Sequence, residues 1–245
     1  MTSEPPIPDV PIPGSPLSRS QRWRRRLASI EAAAIAGIVC ATGWSFGVRG
    51  LLAAPGIGAS ESEVARFYND PGAGLNALLF LQVIVIATIG FLWFVGVVRG
   101  RLGEREPKLF GTVFLGGSVL MAGVIIAGTS ALAAPSVLVE AGGKAVDPGA
   151  ASMARALAVT LLSVFAPRIA TLVMFSTAAL SRKTRALPRW LIYVTYIAGI
   201  VEFVNVTVAQ PTIYIFPAWI GLVSIVLLIR DQPAHLEPPH VEASA

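Results

Sequence analysis

Long apolar runs, closed off at their ends by clusters of arginine and lysine, dominate this chain and leave few folds open to it. A helix needs about 20 apolar residues to cross roughly 30 Å of hydrocarbon. Six runs reach or approach that length: residues 27–52, 75–98, 109–133, 152–180, 188–209 and 212–229. In lipid every backbone N–H and C=O must find its partner inside the protein, so only helices and closed barrels can span. Charged residues make up 13% of the chain, against about 25% in an ordinary soluble domain, and the mean hydropathy is +0.70. The sequence therefore predicts an all-α, polytopic transmembrane bundle of six helices over residues 27–229. Residues 1–26 and 230–245 flank it, and neither flank has the composition to bury a core.

The N-terminal flank carries Pro5, Pro6, Pro8, Pro11, Pro13 and Pro16, which favour extended polyproline backbone and predict disorder. Arg19, Arg22, Arg24, Arg25 and Arg26 follow around Trp23. This juxtamembrane cluster reads first as an orientation signal, and second as a contact for anionic lipid. The net charge of +5 does not point to nucleic acid, because the basic residues sit at the ends of apolar runs. The loops on one side, with the N-terminus and Arg230, hold 14 of the 19 Lys and Arg. By the positive-inside rule both termini are then cytoplasmic, and the richness in Ala, Gly, Arg and Pro suits a bacterial plasma membrane.

Several runs carry internal signals. In the first, Ala33, Gly37, Ala41 and Ser45 recur every fourth residue, the small-xxx-small pattern that lets helix backbones approach in lipid. Glu31, one turn inside, is placed to pair with the arginines beside it. Ser60 to Glu63 forms a capping box that predicts a short interfacial helix ended by Asp70, Pro71 and Gly72. The third run is glycine-rich and is expected to end before an outer loop that starts at Pro135. Pro167 removes a backbone donor opposite the carbonyl of Ser163, which predicts a kink in the fourth run. Pro188 suits a helix start, and Pro217 predicts a kinked or partly unwound outer end to the last run.

Two full charges lie deep in the fourth and fifth runs, Arg168 and Glu202, where ionisable residues are rare without a partner or a role. Counted from the basic turn between them at about 1.5 Å per residue, both sit roughly 18 to 20 Å into the membrane. Antiparallel neighbours at equal depth predict a direct or water-mediated contact. Asn205, one turn beyond Glu202, and Gln82 at a similar depth would join them, with Thr171 and Ser163, in a polar centre. The centre reads either as a structural ion pair that fixes register, or as a site where arginine holds an anion and glutamate takes a proton or cation.

Other chemistries lack their residues. The histidines, His235 and His240, are both in the tail, and the one cysteine, Cys40, lies inside the first run as a packing residue. No haem, metal or other cofactor is expected. Without a nucleophile elbow or paired aspartates at mid-depth, no enzymatic activity is expected either. The basic turn ending in Pro188, Arg189, Trp190 and Leu191 resembles that of a bacterial domain-of-unknown-function family of six-helix inner-membrane proteins. That resemblance implies the six-helix fold over about 27–229 and no defined activity. The leading expectation is an integral membrane protein that packs against itself or a membrane-protein partner; the alternative is a small-solute or proton-coupled carrier using Arg168 and Glu202.

Overall fold

The computed structural model describes residues 30–70, 72–102, 108–143, 145–205 and 210–231. The N-terminal arginine cluster and the C-terminal tail lie outside these residues. All regular structure among the described residues is helical: α1 Ile30–Leu51, α2 Glu61–Tyr68, α3 Ala73–Leu102, α4 Lys108–Gly142, α5 Pro148–Val159, a π-helical turn Thr160–Phe165, α6 Ala166–Thr184, α7 Arg189–Val204, a 3₁₀ turn Gln210–Tyr214 and α8 Ile215–Asp231. Among the described residues, five helices are long and apolar enough to cross a membrane: Glu31–Leu51, Ala73–Arg99, Leu109–Gly142, Pro148–Thr184 and Thr212–Ile229.

The fifth expected span differs. The sequence puts it over residues 188–209, but α7 has 16 residues and is therefore about 24 Å long, short of the hydrocarbon thickness. Asn205 leaves the helix with extended backbone, φ −65° and ψ 109°. The run Val204, Asn205, Val206, Thr207, Val208 explains the early stop. β-branched side chains lose rotamer freedom in a helix, and asparagine competes for backbone bonds.

Other ends shift the opposite way. Instead of stopping before Pro135, α4 carries that proline inside it and continues to Gly142, which shortens the connection to α5. Asp147 then caps α5, its carboxylate accepting from the Ala150 N–H at 2.8 Å, with Pro148 in the first turn. The Ser60 cap is present as expected, its hydroxyl accepting from the Glu63 N–H at 3.3 Å.

Each helix packs against its neighbours in a closed order. α1 lies between α3 and α8, α4 between α3 and α6, and α7 against α6, with only a sparse seam between α7 and α8. Of the small residues Ala33, Gly37, Ala41 and Ser45, the middle two meet α8: a β-carbon at Gly37 would collide with Ser224, and Ala41 meets Gly221. A second small face of α1, with Gly43, Gly47 and Gly50, receives Ala87, Ile84 and Phe80 of α3. Gly90 returns the contact, since a β-carbon there would lie 2.9 Å from the Ala36 carbonyl. Between the three helices, Trp44 sits 4.9 Å from Phe91 and 6.3 Å from Phe216 between ring centres. The Trp44 indole N–H donates to Thr88, and that of Trp219 to Thr195, so both buried indoles are satisfied.

Candidate functional site

The other half of the bundle is where helices break. Ahead of Pro167 the chain adopts the π turn Thr160–Phe165, and proline has no N–H to give the carbonyl of Ser163. Arg168 supplies the missing donor: its guanidinium donates to the Ser163 carbonyl at 3.3 Å and to that of Val164 at 2.9 Å. Hydrogen bonds from a charged donor are worth roughly 1.5–3 kcal/mol each. Here they close a gap in the backbone that lipid could not fill.

Arg168 is therefore not the direct partner of Glu202. The two lie within electrostatic reach of one another, but no ion pair joins them, because the guanidinium folds back onto its own helix. Arg168 is half-buried and bonds beside the exposed Val164, whereas Glu202 is 1% exposed. The expected centre loses other members too. Gln82 is exposed on α3 and faces away from the bundle interior. Asn205 is the C-cap of α7, its backbone N–H bonded to the Val201 carbonyl and its side-chain nitrogen buried. Thr171 bonds across to α7 through the Gly199 carbonyl at 2.9 Å as well as to Pro167 at 3.0 Å. Ser163 is buried and contributes its carbonyl to Arg168.

What remains at the centre is Glu202 itself. The Phe216 backbone amide is directed at its carboxylate, while Oε2 is buried without a hydrogen-bond partner. It borders a cavity of about 20 Å³, whose walls include Trp44 of α1, Ile125 of α4, Pro167 of α6, and Thr212 and Tyr214 of the 3₁₀ turn. Roughly 10–15 Å³ of such space suffices for one water, so the cavity admits a single water and nothing larger. An ionised carboxylate with an unpaired oxygen is costly in such surroundings, and a proton or small cation on that oxygen removes the cost. Three irregular backbone segments converge here: the π turn with Pro167, the end of α7, and the 3₁₀ turn leading to Pro217. Non-helical backbone at membrane depth is tolerated where protein or a water-lined cavity surrounds it.

A second arginine acts as Arg168 does, at the end of α1. Arg155, 8% exposed, donates to the carbonyls of Leu52 at 3.2 Å and Ala54 at 3.1 Å just beyond α1. It satisfies acceptors that a helix C-terminus leaves open. Beside it Val64, Tyr68 and Ala151 form a small separate core joining α2 to α5. Burial pushes the Tyr68 phenol above its ordinary range, and the Arg155 charge pulls it partway back. Nothing in the sequence around Arg155 announces this role, because its acceptors are backbone atoms about a hundred residues away.

The described residues define a helical protein with five helices fit to cross a membrane, built around a buried carboxylate beside a one-water cavity. Comparison with family models, with curated proteins and with solved structures finds no match to this chain.

Proposed function

We propose that this chain is a multi-pass protein of a bacterial inner membrane in which Glu202 takes up a proton or a small monovalent cation, without catalysing a reaction. The observation that carries this reading is the fully buried carboxylate with one oxygen unpaired at a cavity of one water. A site of that size suits a proton with its water, not a metabolite. The scaffold reading has less to draw on, because the small-residue faces of α1 are occupied by α3 and α8 of the same chain.

In this reading the bundle makes six crossings with both termini cytoplasmic, as the charge distribution and the resemblance around Pro188 to Leu191 favour. α7 is then a short crossing of about 24 Å. Labelling of single cysteines at positions 60 and 183 from opposite faces of sealed vesicles tests the orientation. Ser60→Cys is expected to react from outside and Lys183→Cys from inside; reaction of both from one face refutes it.

The site is tested by infrared difference spectroscopy of the full chain in proteoliposomes during a pH or sodium step. The expected signal is a carboxyl band that responds in the wild type and is missing in Glu202→Gln, with both proteins equally folded. Identical difference spectra for the two would remove Glu202 from the function.

A further inference from the structure

We propose that the turn between α6 and α7 holds the headgroup of an anionic phospholipid, with one acyl chain lying along α7. The inference needs α6 and α7 to lie in a bilayer and is independent of what Glu202 binds.

Between the end of α6 and the first turns of α7 is an open pocket of about 690 Å³. Arg182, Arg185 and Arg189 form its basic rim, and Ile192, Tyr193 and Tyr196 form its apolar side. No carboxylate lines it, and none of the three guanidiniums has an ion pair or hydrogen bond among the described residues. Three like charges gathered without a counter-charge create a field that an anion relieves, and guanidinium forks match phosphate oxygens in particular. Arg185 adopts left-handed backbone, φ 56°, a conformation glycine takes without penalty. The turn geometry by itself does not call for an arginine. Pro188 leads into α7 without a side-chain cap, so the first N–H groups of the helix also point toward this end.

The other half of the ligand is read from α7. Tyr193, Ile197, Ile200 and Val204 are 68%, 62%, 53% and 66% exposed. Their spacing of four, three and four residues places them on one face, an apolar strip roughly 16 Å long leading away from the basic rim. A free phosphate or a nucleotide would use the rim alone. A molecule with an anionic head and a long apolar tail uses both, and basic pockets at the ends of membrane helices recognise such lipids.

Native mass spectrometry of the full chain, released from detergent with added phosphatidylglycerol or phosphatidylcholine, reads the site directly. Wild type is expected to retain one phosphatidylglycerol in preference to phosphatidylcholine by on the order of a hundredfold, given the usual worth of three basic side chains at a membrane surface. The combined variant Arg182→Gln, Arg185→Gln, Arg189→Gln should lose that preference, and Arg99→Gln, near the end of α3, should keep it. Should the combined variant fail to fold, Arg185→Gln alone is expected to weaken the preference roughly fivefold. Equal retention of the two lipids, or a preference untouched by these substitutions, overturns the proposal. Displacement of the lipid by inorganic phosphate at millimolar concentration also overturns it, by making the pocket a site for small anions.

Discussion

The α1–α3 pair and the α6–α7–α8 group occupy the same bundle but are built on opposite terms. In the first, two unbroken helices come together through Gly43, Gly47, Gly50 and Gly90, and no charged side chain lies between them. In the second, a π turn, Pro167, the early end of α7 and a 3₁₀ turn interrupt the helices, and both deep charges are found there. Regular helices satisfy their own backbone, so their contacts can be apolar and close. Broken ones leave carbonyls and amides over, and polar side chains become the only means of satisfying them. Arg168 is best understood as belonging to the break in its own helix. Glu202 is the charge left over, which is why it is the candidate for chemistry.

If that contrast is right, the two regions fail differently. The largest loss is expected from Gly90→Leu, because its β-carbon meets the Ala36 carbonyl and a backbone atom cannot step aside. About 3 kcal/mol or more, with poor folded yield, should appear in thermal unfolding in detergent. Gly96 on the same helix has nothing within 4 Å of a new β-carbon. Gly96→Ala should therefore raise stability slightly, by about 0.5–1 kcal/mol.

Arg168→Met comes next, at about 2–3 kcal/mol, since the carbonyls of Ser163 and Val164 lose their charged donor. Adding Glu202→Gln to it should change little, because no ion pair is there to break. Strong coupling in that double-mutant cycle would restore the paired reading. Arg155→Met is expected to cost the least, about 1–2 kcal/mol, and to act locally. Proteolysis of the segment between α1 and α3 should quicken while the bundle melts nearly unchanged. A global collapse would show that the small core of Val64, Tyr68 and Ala151 and the bundle are one unit.

Much of the fold was legible from residue chemistry alone. The apolar runs give the long helices, Ser60 gives the cap of α2, and Gly37 and Ala41, two of the small residues spaced by four, lie against α8. The site was legible in depth but not in direction. Equal distance from the basic turn places Arg168 and Glu202 on one level, yet a helix offers every azimuth at each level. The extra residue of a π turn rotates the remainder of the helix by about 100°, so faces extrapolated through Pro167 do not hold. The end of α7 carried a readable signal in its β-branched residues around Asn205, which apolar run length hides. Gln82 shows the limit from the other side: depth recommended it, and only the packing of α3 decided that it faces outward.

The unequal lengths of the helices bear on the surrounding lipid. α7, about 24 Å long, stands in the same molecule as the 35-residue α4, which is more than twice as long. A bilayer adjusts to so short an apolar wall by thinning beside it. If α7 crosses the bilayer as proposed, the leaflet at its C-terminal end should dip along it, bringing bulk solvent closer to the last turn of that helix than its residue count would suggest. Under the proposed function, membrane thickness would then control how readily ions arrive there, and vesicles of longer-chain lipid would slow the proposed exchange without any change in the protein.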